Sequence, residues 1–150
     1  MKISKMSLED LESIKDFLIT DFDDFWNYNI LLDELNQENS YFIVAKNDNS
    51  EIIGFACLKK ILDEGHIMNI VVRESYRGNG FGSNMLEHLI DYAKNQNLKI
   101  VLLEVNEHNL SAIRLYNKFE FDHLGIRKQY YPDGSDAIIM SKKIWDYLRF

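Results

Sequence analysis

The stretch Arg77-Gly78-Asn79-Gly80-Phe81-Gly82-Ser83 concentrates residues suited to binding chemistry. Glycine lets a backbone approach a ligand closely and adopt conformations closed to other residues. Phe81 to Asn95 follows with helical periodicity, Met85, Leu86, Leu89, Ile90 and Ala93 forming one stripe. The free N–H groups of such a helix's first turn, with its dipole, favour a pyrophosphate. Taken alone, the glycines fit a plain turn equally well. No Lys-Ser or Lys-Thr follows the last glycine, which removes a nucleotide P-loop, and the hairpin-rich region upstream fits a dinucleotide-binding βαβ unit poorly. Two other side chains stand out. Glu104 is the acid in the apolar run Ile100 to Val105, and strand alternation puts it on a face with Leu102 and Asn106, away from Leu103 and Val105. From spacing alone it fits a strand-end charge in solvent as well as a proton acceptor. Tyr116 shares a helical face with Ala112 and Phe119, so core packing and proton donation are both open to it. His66, His88, His108 and His123 are dispersed and Cys57 is the only cysteine, so no metal site and no intramolecular disulfide are expected. Cys57, within Ile52 to Leu58, reads as a small buried apolar side chain.

The elements that must hold these residues follow from periodicity. Leu8, Leu11, Ile14, Phe17 and Leu18 recur at helical spacing behind a candidate N-cap, Ser7. A second helix is expected after Asn27, carrying Ile30, Leu31, Leu32 and Leu35. Tyr41 to Lys46 and Glu51 to Ile61 read as strands around the turn cluster Asn47-Asp48-Asn49-Ser50. Gly65 opens a strand through Val72. Ile100 to Val105 reads as a strand covered on both faces. Asn109 is placed to cap a short helix bearing Ala112, Leu115, Tyr116 and Phe119. Two late strands, near Phe121 to Tyr131 and Ala137 to Lys142, flank Pro132-Asp133-Gly134. The fold class expected is α/β (mixed α+β), with one mixed sheet and helices on both faces.

The 150 residues, 46% hydrophobic and 27% charged, suit a single folded domain over 1–150. No apolar run nears the roughly 20 residues that span a bilayer, and the N-terminus is neither a secretory signal nor a transit peptide, so a cytoplasmic location is expected. The net charge of −7 gives no general affinity for nucleic acid or anionic membrane but suits a basic partner as well as solubility. Asp21, Asp23 and Asp24 precede Trp26, where they could attract a protonated peptide N-terminus or simply be solvated. The aromatic C-terminus Ile144-Trp145-Asp146-Tyr147-Leu148-Arg149-Phe150 suits packing onto the domain more than a dimer contact; monomer or weak dimer is the expectation.

Arg77-x-x-Gly80-x-Gly82 after Asn69-Ile70-Val71-Val72 resembles the acyl-CoA signature of the GCN5-related N-acetyltransferases (GNAT), and the resemblance runs over essentially the whole chain. It is nearest the bacterial RimI type, the ribosomal-protein-alanine N-acetyltransferases. Supporting segments are Leu62-Asp63-Glu64, Leu86-Glu87-His88-Leu89-Ile90, Leu103-Glu104-Val105, Ala112-Ile113-x-Leu115-Tyr116, Arg127-x-x-Tyr130-Tyr131 and Asp136-Ala137-Ile138-Ile139-Met140. The resemblance implies a GNAT fold with a mostly antiparallel sheet, acetyl-CoA as cosubstrate without a metal, and a protein N-terminus as acceptor, that of a small-subunit ribosomal protein. Ile70, Val71 and Val72 would be the strand edge along the pantetheine arm. Arg77, Gly78, Asn79, Gly80, Phe81, Gly82 and Ser83 would hold the pyrophosphate, and Asn109 and Ala112 would meet the pantetheine end. Glu104 would be the general base and Tyr116 the general acid, with a backbone N–H near Val72 as oxyanion donor. Trp26, Tyr130 and Tyr131 would line the peptide groove. Tyr130 and Tyr131, if extended, would point to opposite faces. A small-molecule amine, such as a polyamine or aminoglycoside, is the alternative acceptor, and a non-catalytic acetyl-CoA-binding module the alternative class. The sequence departs from the family in two places. Glu120 stands before Phe121 where glycine is usual, which would strain the backbone if the position keeps positive φ. Phe25 stands before Trp26 where the type has proline.

Overall fold

A computed structural model describes residues 1–18 and 27–144. In chain order the elements are β1 (Lys2–Lys5), α1 (Leu8–Ile14), α2 (Tyr28–Leu35), β2 (Ser40–Lys46), β3 (Ile52–Ile61), β4 (Glu64–Val72), α3 (Phe81–Asn95), β5 (Ile100–Asn106), α4 (Leu110–Lys118), β6 (Asp122–Arg127) and β7 (Ala137–Lys143). The Ser7 and Asn109 caps lie where the sequence places them. Ser7 Oγ accepts from Asp10 N–H while Asp10 returns the bond to Ser7 N–H, and Asn27 and Asn109 cap α2 and α4 through their side-chain carbonyls. Trp26, the Asp21–Asp24 cluster and the C-terminal 145–150 lie outside the described residues.

The strands form one sheet in the order β1-β2-β3-β4-β5-β7-β6, antiparallel except for the β4–β5 pair. Strand alternation splits the core into two clusters. Phe42, Val44, Phe55, Cys57 and Val71 pack under Leu11, Ile14, Leu18 and Leu31. On the other face, Ile43, Ala45, Ala56, Leu58, Val101 and Leu103 pack under Met85, Leu86, Leu89 and Ala93 of α3 and Tyr116 of α4. Among the described residues no helix is long and apolar enough to cross a membrane.

One strand adds to the expected elements, and three local expectations need correction. Lys2-Ile3-Ser4-Lys5 forms an edge strand, too short and too polar to show a strand pattern; its lysines suit a sheet edge. Leu8 and Phe17 are surface residues, because α1 ends at Ile14 and a 3-10 turn follows, leaving Leu11, Ile14 and Leu18 as the buried stripe. β5 is covered on one face only. Val101, Leu103 and Val105 are buried, Leu102 is half-buried and Glu104 exposed, since the cluster under α1 and α2 draws on β2, β3 and β4 and stops short of β5. β6 ends at Arg127 instead of Tyr131. Gln129 takes φ +50°, so Tyr130 and Tyr131 sit in a folded loop with their rings edge to face at 5.1 Å, not on opposite faces of a strand.

The feature that positions the site is in β4. Its register against β3 shifts between the pairs Cys57–Asn69 and Leu58–Ile67, leaving Met68 as an extra residue. Such a bulge bends its strand. The parallel pairing of β4 with β5 runs from Glu64–Ile100 to Ile67–Leu103 and stops there. Beyond it, Asn69 to Val72 follow β3 while Glu104 to Asn106 follow β7, so the sheet splits.

Candidate active site

The split opens a cleft of about 920 Å³. Ile70, Val71 and Val72 line one wall, Glu104 and Tyr116 another, and Gly78, Gly80, Phe81, Gly82 and Ser83 close one end with Arg77; Asn109, Ala112 and Tyr131 also border it. Asn79 is absent from the lining. Its amide donates to the carbonyls of Tyr76 and Arg77, so it shapes the loop. Tyr130 stands beside the cleft, 53% exposed.

The backbone of β4 explains which groups face the opening. Arg73 N–H donates to Ile53 O at 2.8 Å, toward β3. Alternation then turns the Ile70 and Val72 amides away from β3, into the split. Arg77 Nε donates to Val72 O at 3.0 Å and ties the glycine loop to the end of that strand.

The loop itself fits an anionic ligand. Gly78 and Gly80 hold φ of +79° and +83°, and a Cβ on either would meet no atom within 4 Å. At Gly82 φ is ordinary, and a Cβ would only touch Leu115 Cδ2 at 3.6 Å. Neither backbone nor packing therefore requires glycine at 82. Asn84 N–H makes the first helical bond of α3, to Gly80 O, so the Phe81, Gly82 and Ser83 amides are the ones presented by the first turn. Arg77, Arg114 and Lys118 also line the cleft and supply positive charge in an acidic chain. Arg114 and Lys118, four apart on α4, share a face; the sequence reading overlooked them, although that spacing was visible.

Arg127 Nε donates to Oε1 of Glu104 at 2.7 Å. The neighbouring Glu104 carboxylate, which favours the neutral, hydrogen-bonding phenol, pushes Tyr130 above its ordinary value. Burial, then the charge of Glu104, does the same for Tyr131. Tyr116 is 8% exposed, and burial, with a smaller contribution from Tyr131, pushes its phenol up to about 12. Tyr116 is held by the end of α4. Glu120 N–H donates to Asn117 O and Phe121 N–H to Tyr116 O, with Tyr116 and Phe121 rings 5.7 Å apart. That is a Schellman ending, and its left-handed residue is Glu120 at φ +64°. Cys57 is fully buried, which pushes its thiol up and leaves it no part in the site. Among the described residues no group of His, Cys, Asp and Glu is placed to hold a metal ion.

The Acetyltransferase (GNAT) family model matches residues 6–121. The chain is 38% identical over 120 residues to the [Ribosomal protein bS18]-alanine N-acetyltransferase of Haemophilus influenzae, covering 77% of this chain and 80% of that protein. It is 38% identical over 112 residues to the Escherichia coli protein of the same name, covering 73% and 76%. The crystal structure of the ribosomal-protein-S18-alanine N-acetyltransferase from Escherichia coli superposes with a TM-score of 0.87 at 30% identity, over 97% of this chain and 94% of that one. A split sheet, a glycine loop at a helix start and these matches agree, and the chain belongs to the GNAT family of acetyl-CoA-dependent acetyltransferases.

Proposed function

We propose that the chain, working as one N-acetyltransferase domain over residues 1–150, acetylates the N-terminal α-amine of a protein, the N-terminal alanine of a small-subunit ribosomal protein. It does so in the cytoplasm as a monomer or weak dimer, without contacting nucleic acid or membrane. The names of the relatives support the acceptor. The observation that carries the chemistry is that an exposed carboxylate, Glu104, and a buried phenol, Tyr116, border the same cleft as the glycine loop.

Acetyl-CoA supplies the thioester carbonyl and the thiol leaving group. The Phe81, Gly82 and Ser83 amides receive its pyrophosphate, with Arg77 adding charge. The Ile70 and Val72 amides, turned into the split, meet the pantetheine arm, and Val72 N–H is the donor aimed at the carbonyl oxygen. Asn109 Oδ1 is committed to Ala112 N–H at 3.2 Å, so Asn109 offers the pantetheine end only its amide N–H groups. Tyr130 and Tyr131 border the peptide's path.

Glu104 takes a proton from the amine as the new C–N bond forms. Tyr116 passes its proton to sulfur as the C–S bond breaks. Solvent then restores the Tyr116 proton and removes the one on Glu104. An α-amine with an ordinary pKa of about 7.7–8.0 needs only modest help to become neutral, unlike lysine near 10.4. Tyr116 holds its proton throughout that range, since its pKa is about 12. The burial that disfavours its phenolate disfavours a thiolate leaving into the same cleft, so the two acidities shift together.

The test is intact-mass analysis of a small-subunit ribosomal protein beginning with alanine after incubation with enzyme and acetyl-CoA. One added acetyl group at the N-terminus is expected. Acetylation of a polyamine or aminoglycoside in preference to the protein would overturn the acceptor, and thiol release with no acceptor modified across a broad panel would overturn the enzyme reading.

A further inference from the structure

β6 buries almost nothing. All six of its residues are exposed, and among the described residues β7 is the one strand that pairs with it. Its register shows what it brings to the site. Glu104 lies opposite Ile139 of β7, and Ile139 opposite Gly125 of β6. Gly125 has no side chain to offer across that row, and a Cβ there would approach Ile139 Cδ1 at 3.9 Å. Arg127, two residues on and on the same face, has the length to cross β7. Two strand spacings come to about 10 Å, and the Arg127 and Glu104 side chains close that gap with an Nε–Oε1 bond of 2.7 Å.

An exposed ion pair contributes little to stability, and the Arg127 and Glu104 side chains are 55% and 32% exposed. Fold stability is therefore a weak reason for the pair. Its geometry gives a better one. The bond is made by Nε, whose direction is fixed by the guanidinium plane.

We infer that Arg127 is a positioning residue: its Nε–H pins Oε1 of Glu104 so that the carboxylate turns its other oxygen to the acceptor amine. The inference rests on Glu104 being the base. Sequence spacing could not show it, because 23 residues separate the pair and only the β5–β7–β6 register brings them together.

The test is a double-mutant cycle of Arg127→Met and Glu104→Gln on the full chain, with an alanine-starting peptide as acceptor. Acetyl-CoA affinity and near-ultraviolet circular dichroism check that each variant is folded. Arg127→Met should lower kcat about tenfold or more with KM for acetyl-CoA unchanged, and Arg127→Lys, which keeps a donor and the charge, should recover part of the loss. In the Glu104→Gln background Arg127→Met should change kcat less than about twofold, because groups acting as one unit are not additive. A fully additive defect, or a lower acceptor KM with unchanged or higher kcat in Arg127→Met, would overturn the role of Arg127 alone, the latter by making it a cation that competes with the acceptor. Wild-type rates in Glu104→Gln by itself would remove the base, and this inference with it.

Discussion

The two ends of the β4–β5 seam are made of the same two strands and do opposite work. At the closed end Glu64 to Ile67 pair with Ile100 to Leu103, and Ile67, Val101 and Leu103 are buried under α3. At the open end, past the extra residue Met68, the strands part and expose backbone amides, Glu104 and Tyr131 to a cleft. The closed end satisfies its hydrogen bonds internally and contributes stability. The open end leaves groups for a ligand, and the closed end keeps them at a fixed separation. A bulge of one residue thus opens a cleft within a parallel strand pair.

Changes at the two ends should therefore separate activity from stability. The largest effect belongs to the open end. Tyr116→Phe should bind acetyl-CoA nearly normally and lose about 10²–10⁴-fold in kcat, as expected for removal of a general acid; single-turnover kinetics would check it, and a near-normal chemical step would remove Tyr116 from that role. At the closed end, Leu103→Ala should cost about 2–5 kcal/mol of stability by denaturant titration, while the folded fraction keeps its kcat. An unstable variant that also loses chemistry would blur the division. Gly82→Val should weaken acetyl-CoA binding by about tenfold or more, or about 1.4 kcal/mol, measured calorimetrically, with little change in stability because only Leu115 lies nearby. Unchanged affinity would move the pyrophosphate elsewhere. The smallest effect is a gain. Glu120→Gly relieves a left-handed residue and should stabilise by about 1 kcal/mol, about 2–4 °C in Tm for a chain of this length. Because Tyr116 O still receives Phe121 N–H through the backbone, kcat should not change.

How far the sequence revealed this depends on the range of the interaction. Local signals were legible: the Ser7 and Asn109 caps, the start of α2 after Asn27, α3 over Phe81–Asn95, and the glycine loop at its start. Glu120 is instructive, since its resemblance to a family glycine position anticipated a positive φ that composition alone opposes. What escaped depends on register. The bulge at Met68 has no local mark, because Met68 continues an ordinary strand pattern. The exposed face of β5 followed from where α1 and α2 lie, not from the residues of β5. The Arg127–Glu104 bond required two strand pairings to be known. The fold of Tyr130 and Tyr131 depended on a positive φ at Gln129, a residue type that does not announce one.

The central claim is that the open end removes a proton from an α-amine, and the pH profile of Glu104→Gln tests it most directly. The substitution keeps the shape of Glu104 but cannot accept a proton. Relative to wild type, the loss in kcat/KM should be greatest at low pH, where the acceptor is ammonium, and should shrink as pH rises past about 8, where the free α-amine becomes abundant unaided. A defect that does not change with pH would make Glu104 a binding group instead of a base, and one that persists to about pH 10 would identify a lysine side chain as the acceptor and contradict the account.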